Sequence, residues 1–139
     1  MDYKVLKEQL GLSELKPNEV APLILAYIGG AVYEVAVRTA EISKGNRAMN
    51  RLHRDSIHLV NAKAQADMIE KIMPMLTEEE LSIYKRGRNA KSNTSAKNAS
   101  IGDYRKATGF EALIGYLFLC ERTDRMVELI KESIGQIEN

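Results

Sequence analysis

Apolar positions along the chain recur at three- and four-residue spacing, and no stretch alternates convincingly with period two, which predicts an all-α protein. A short helix is expected over about Asp2 to Leu10, with Gly11 as its stop. Lys16-Pro17-Asn18 punctuates the chain before a long segment, about Val20 to Ser43. There Leu23, Ile24, Tyr27, Ile28, Ala31 and Val35 mark a core helix that Lys44-Gly45 closes. Further helices are expected over about Ala48 to Val60, over about Ala62 to Met73 (ended by Pro74), and over about Glu78 to Arg88. The last begins at a capping box, in which the Thr77 hydroxyl and the Glu80 carboxylate satisfy free backbone N–H groups. Asn89 to Gly102, rich in Asn, Ser, Lys and Gly, reads as a loop. Ser100 and Asp103 are alternative caps for a strongly apolar helix from about Asp103 to Cys120. A final amphipathic helix, Asp124 to about Glu138, carries Met126, Leu129, Ile130, Ile134 and Ile137 on one face.

Two features cut across this pattern. Gly29-Gly30 lies inside the long core helix, where each interior Gly costs roughly 1 kcal/mol relative to Ala. One Gly is accounted for by close packing or a local kink; two in succession ask for a further reason. Glu111 sits in the most apolar helix, with Ala107, Thr108, Ile114 and Gly115 as its helical neighbours. A carboxylate on such a face is costly unless it is paired at the rim of the core, protonated or bound to a cation.

Composition narrows the setting. The 139 residues fit one domain, and 45% hydrophobic with 28% charged residues is ordinary for a globular chain. The lone Cys120 has no internal disulfide partner, the first eleven residues carry scattered charges, and the apolar run Ala112 to Cys120 is too short to span a bilayer. These readings favour a cytoplasmic protein without membrane insertion. The net charge of +1 conceals an asymmetry: Lys85 to Lys106 holds seven basic residues against Asp103 alone. That segment is +6 and the remainder −5, which points to a polyanionic partner. His53 and His58 are five apart and off a common face, so they make no metal pair, and His53 is expected at the surface. No glycine-rich phosphate loop, nucleophile–base pair or Cys/His cluster occurs.

Several joined motifs carry a resemblance. Ala26-Tyr27-Ile28-Gly29-Gly30-Ala31-Val32-Tyr33-Glu34 resembles the Ala-Tyr-Ile-Gly-Asp-Ala-Val-Tyr-Glu signature of the Mini-ribonuclease III family, compact relatives of ribonuclease III. Arg86-Gly87-Arg88-Asn89-Ala90-Lys91-Ser92 matches a second family stretch, and Thr108 to Leu117, around Glu111, resembles its second acidic motif. Ala62-Lys63-Ala64-Gln65-Ala66 and Lys97-Asn98-Ala99 add to the similarity, which runs in order from about Leu23 to Leu119.

The resemblance implies a ribonuclease III-type helical catalytic domain over residues 1–139, without a separate double-stranded-RNA-binding domain. It further implies a homodimer, Mg²⁺ as cofactor, double-stranded RNA as substrate and a place in ribosomal RNA precursor maturation. Mg²⁺ takes oxygen ligands and keeps several waters, so one or two protein carboxylates suffice. By this resemblance Glu111 supplies one of them as catalytic and metal-binding residue, and the family's Asp falls at Gly30, which has no side chain to offer. Glu34 lies one turn on, but Arg38 at i+4 favours a surface ion pair. The acidic residues that larger ribonuclease III proteins carry upstream correspond to Leu23 and Ala26. The expectation is an inactive or impaired endoribonuclease; the alternatives are a non-catalytic structured-RNA-binding homologue and a helical interaction protein with no RNA role. RNA contact is expected from Arg86, Arg88, Asn89, Lys91, Lys97 and Arg105, with Asn93 and Asn98 as donors to 2′-hydroxyls.

Overall fold

The computed structural model describes residues 2–91 and 100–135. Seven α-helices follow one another: α1 (Tyr3–Leu10), α2 (Pro22–Ile42), α3 (Met49–Val60), α4 (Ala62–Ile72), α5 (Glu78–Asn89), α6 (Ile101–Leu119) and α7 (Thr123–Ile134). Short 3₁₀ turns lie at Pro17–Glu19 and Met73–Met75, and no strand forms among the described residues. The all-α class expected from the sequence is the one observed. Lys97, Asn93, Asn98 and Ile137 lie outside the described residues.

Local chemistry fixes the helix ends. Asp2 caps α1 through a bond accepted from the Val5 N–H at 2.9 Å, and Gly11 ends it in the left-handed region. The capping box at Thr77 and Glu80 forms as expected, with both reciprocal bonds present. Of the two candidate caps for α6, Ser100 is the one used: its Oγ accepts from the Asp103 N–H at 3.0 Å. Asp103 therefore falls inside the first turn, where its charge faces the positive end of the helix dipole. The helix expected from Val20 begins at Pro22, because proline suits the first helical turn and restrains the residue before it.

Helix α6 is the axis of the structure. From Ala107 to Phe118 every residue except Glu111 is buried, because α2, α4 and α5 pack around it. Two of these contacts are backbone-close. A Cβ on Gly29 would lie 1.8 Å from the Glu111 carbonyl oxygen, and a Cβ on Gly115 would lie 2.0 Å from the Leu25 carbonyl oxygen. On the other side of α6, a Cβ at Gly87 would lie 2.7 Å from that of Ala112, and one at Gly109 would meet the Tyr84 ring. Glycine thus sets the distance at which α2 and α5 approach α6.

Buried ion pairs tie down the periphery. Arg125 of α7 reaches Glu80 at 2.8 and 2.9 Å and the Met75 carbonyl at 2.8 Å, so one guanidinium joins α7 to the start of α5. Arg47 binds the buried Glu41 carboxylate and also Asp55, closing the α2–α3 turn.

By length and composition α2 is apolar enough to cross a membrane, which the sequence reading, centred on Ala112 to Cys120, did not register. Here one face of α2, carrying Leu25, Gly29, Tyr33 and Val37, is buried in the fold. The positions that marked α2 as core in the sequence lie beside this face: Leu23, Ile24, Tyr27, Ala31 and Val35 are exposed and Ile28 is only half-buried, because the side turned to α6 is the one that carries Gly29.

The two adjacent glycines of α2 are expected to respond oppositely to a methyl group. Gly29→Ala should cost about 3 kcal/mol or more, since backbone must move to admit it. Gly30→Ala should stay within about 1 kcal/mol of the parent, because only the mobile end of a side chain stands in its way. Urea unfolding of the two variants checks this.

Candidate active site

The close approach of α2 and α6 decides which side chains face each other beside it. Glu111 projects from α6 toward α2, and a Cβ built on Gly30 would lie 2.4 Å from Glu111 Oε2. That atom is the far end of a flexible side chain, whereas at Gly29 the obstruction is backbone. The two glycines therefore have different reasons: Gly29 is required by packing, and Gly30 looks directly onto a carboxyl group. The two positions that the sequence singled out, far apart in the chain, belong to one place.

That place is an open groove. Leu23, Ala26 and Tyr27 form its apolar side, Gly30 and Glu34 continue it along α2, and Tyr104, Thr108 and Glu111 face them from α6. Thr108 donates its hydroxyl to the Tyr104 carbonyl at 3.0 Å, which leaves the hydroxyl oxygen to accept. Glu34 is turned to Arg38, whose Nε lies 3.2 Å from Oε1, as expected for residues one turn apart.

Glu111 makes no ion pair among the described residues, so the rim salt bridge weighed from the sequence does not form. Burial raises its pKa to about 7, the Gln65 amide beside it pulls the other way, and the Glu34 charge raises it further. Tyr33 packs nearby, its phenol pushed upward by burial and then by Glu111. Its hydroxyl donates to the Leu59 carbonyl at 2.8 Å. Neither Gln65 nor Tyr33 was singled out for chemistry in the sequence. The signal for Gln65 was a polar residue sharing a helical face with Ile69 and Ile72, all of them buried.

The donor set can be tested against a divalent cation. Among the described residues no group of three or more His, Cys, Asp or Glu comes together. The groove offers Glu111, whose neutral form burial favours, and Glu34, which Arg38 holds. Gly30 adds no donor. As it stands, this donor set does not fit a firmly held Mg²⁺.

The basic residues differ in their surroundings. Arg86 and Asn89 are exposed at the end of α5 and share a shallow surface with Lys85. Arg88 is half-buried, its guanidinium 5.6 Å from the centre of the Tyr84 ring and its Nε 3.1 Å from Asn89 Oδ1. Lys106 is engaged by Glu70 across α4 and α6. Lys91 and Arg105 are exposed. His53 is exposed on α3, as expected.

The Glu111 environment has a consequence for stability. A carboxyl whose pKa is raised on folding stabilises the fold fully below about pH 4.5, and that benefit is lost as pH climbs through about 7. The loss should amount to about 3 kcal/mol between pH 4 and pH 8, on the order of what such a change in proton affinity implies. Glu41, Glu79 and Glu80, whose pKa values are lowered by arginine or lysine partners, act in the opposite sense. The comparison that isolates Glu111 is urea unfolding of the parent against Glu111→Gln at both pH values, where only the parent should show this component.

Comparison with known proteins agrees with this geometry. The family described as the ribonuclease III domain matches residues 23–122, which include both sides of the groove. A Mini-ribonuclease 3 of Clostridium tetani is 51% identical over 134 residues, spanning 96% of this chain and 87% of that protein. A Mini-ribonuclease 3 of Brevibacillus brevis is 50% identical, spanning 88% and 91%. An X-ray structure of a Fusobacterium nucleatum protein superimposes with a TM-score of 0.76 at 30% identity, covering 84% of this chain and 93% of that one. With a helical fold of that type, matching relatives over nearly its whole length and Glu111 set against position 30, the chain belongs to the ribonuclease III family, in its Mini-ribonuclease III branch.

Proposed function

We propose that this chain is built as an endoribonuclease for double-stranded RNA, of the kind that matures ribosomal RNA precursors. In this reading its cutting power is lost or much reduced because Gly30 stands where the family carries an aspartate. The observation that carries the reading is the facing of Gly30 and the Glu111 carboxyl across the groove. An aspartate at 30 would bring a second carboxylate to the first, and paired carboxylates are what a hard cation such as Mg²⁺ needs from protein. The scissile phosphate belongs in the groove beside Glu111.

An A-form duplex is recognised by shape, phosphates and 2′-hydroxyls, so scattered cations serve better than a base-reading element. Arg86, Asn89, Lys91 and Arg105 supply exposed donors for it, with Arg88 held ready over Tyr84 and Lys97 in the same basic segment. Gly30 also favours a second reading, a homologue that keeps the fold for docking structured RNA and no longer cuts.

The exposed stripe Ile24, Tyr27 and Val35 on α2 supports a homodimer formed through that helix, with Tyr27 83% exposed on an otherwise apolar surface. A second copy covering this stripe accounts for the high hydropathy of α2 without a membrane. A cytoplasmic protein of one catalytic domain is the setting that goes with this reading. Sedimentation at micromolar concentration should show dimers for the parent and monomers for Tyr27→Glu; a monomeric parent removes this part of the reading.

The deciding experiment is cleavage and binding of a ribosomal-RNA-derived duplex with Mg²⁺, comparing the parent with Gly30→Asp. Cutting is expected from Gly30→Asp alone, while both bind the duplex in a salt-sensitive way that Arg88→Ala with Lys91→Ala weakens. Equal cutting by both would overturn the role given to position 30. Binding by both without cutting by either would establish the docking homologue, and no binding at low salt would remove RNA from the account.

A further inference from the structure

Among the described residues the buried polar or charged side chains are Glu41, Gln65, Glu80, Thr108 and Ser133. Arg47 and Arg125 account for Glu41 and Glu80, and of this set only Thr108 lines the groove. Thr108 is 8% exposed, between Ala107 and Gly109 on α6. It precedes Glu111 by one turn, about 4.5 Å along the helix axis. Fold stability gives no reason for a hydroxyl there. Threonine is a poorer helix former than alanine, and a hydroxyl bonded back to the fourth carbonyl before it slightly destabilises a helix. Valine would fill nearly the same space without that bond.

What the hydroxyl offers the groove is decided by where its proton goes. Thr108 Oγ1 donates to the Tyr104 carbonyl at 3.0 Å, so to a ligand in the groove the oxygen can only accept. Along a strand of an A-form duplex the phosphodiester oxygens accept as well, and the 2′-hydroxyl is the backbone group that donates. The other donor in the minor groove is the guanine amino group, which depends on base identity. With the scissile phosphate beside Glu111, a partner one helical turn away is supplied by an adjoining ribose.

We propose that Thr108 is a ribose-recognition residue: with its proton given to the Tyr104 carbonyl, its oxygen accepts from a 2′-hydroxyl of the strand lying in the groove. The inference rests on the reading of the groove as the seat of the scissile phosphate. It adds a contact that distinguishes RNA from DNA at that point, and the contact can be tested by binding alone.

A duplex with 2′-fluoro riboses keeps the A-form shape of RNA, but its fluorine donates no hydrogen bond. Fluorescence anisotropy at low salt should show the chain as it exists binding this duplex more weakly than the same sequence of RNA. In Thr108→Val the ratio of the two dissociation constants should shrink about fivefold, the size expected for one neutral hydrogen bond. Thr108→Ser, which keeps the hydroxyl, should retain the parent ratio. Thr108→Ala, a stronger helix former, supplies the same comparison if the valine variant does not fold.

An unchanged ratio in the variant without the hydroxyl means that Thr108 meets no 2′-hydroxyl, and the proposal falls. A serine variant that behaves like valine assigns the loss to packing and overturns it too. The same holds if inosine in place of guanine, rather than fluorination, is the change that Thr108→Val no longer senses, because the partner is then a base. If the parent binds neither duplex, the reading of the groove as an RNA site fails first and takes this inference with it.

Discussion

Everything in this fold depends on how closely α2 comes to α6. Gly29 against the Glu111 carbonyl and Gly115 against the Leu25 carbonyl bring the two backbones nearer than any side chain would allow. Once that distance is set, the register along the two helices is set with it, because shifting either helix would drive a Cβ into backbone. Glu111, on the face of α6 turned toward α2, is then committed to look at position 30. The groove follows from the same constraint: small residues along the contact leave room beside it, and Tyr104, Thr108 and Glu34 border that room. Packing at glycine and the facing of the Glu111 carboxyl with position 30 are two results of one approach distance.

Much of this could be read in the sequence, and the parts that could not have a common cause. Helix identities and the capping box at Thr77 and Glu80 are local, so periodicity and terminal chemistry exposed them. Boundaries depended on finer competition. Ser100 takes the cap of α6 since its hydroxyl reaches the third helical N–H, and Pro22 defers the start of α2. Glu111 and Gly29-Gly30 stood out as anomalies, yet their facing is a long-range fact that no local pattern contains. The charge count between Lys85 and Lys106 was correct as arithmetic, but Glu70 engages Lys106 and Arg88 lies half-buried against Tyr84, so the segment exposes fewer free cations than it contains.

The ion pairs at the periphery perform a different task from the core. Arg125 collects two oxygens of the buried Glu80 and the Met75 carbonyl, so one half-buried cation serves several acceptors at the junction of α5, α7 and the turn before them. Arg47 does likewise for Glu41 and Asp55 between α2 and α3. Removing either partner of such a pair is costly because the other is left buried and uncompensated. These clamps hold helix ends, and they leave the middle of α2 and α6, where the groove lies, to be organised by van der Waals contact and by Glu111 with its neighbours.

The unequal reasons for the two glycines of α2 also have a genetic side. Every glycine codon lies one base change from a codon for an acidic residue, so both sites are equally exposed to that kind of mutation. Selection for a folded protein purges the change at Gly29, where backbone blocks any side chain; at Gly30 the steric obstacle is only the end of the Glu111 side chain, and the cost that remains is the repulsion of two neighbouring carboxylates. Where the glycine codon ends in a pyrimidine, glycine and aspartate at position 30 lie one base change apart in either direction. The fold keeps both histories open.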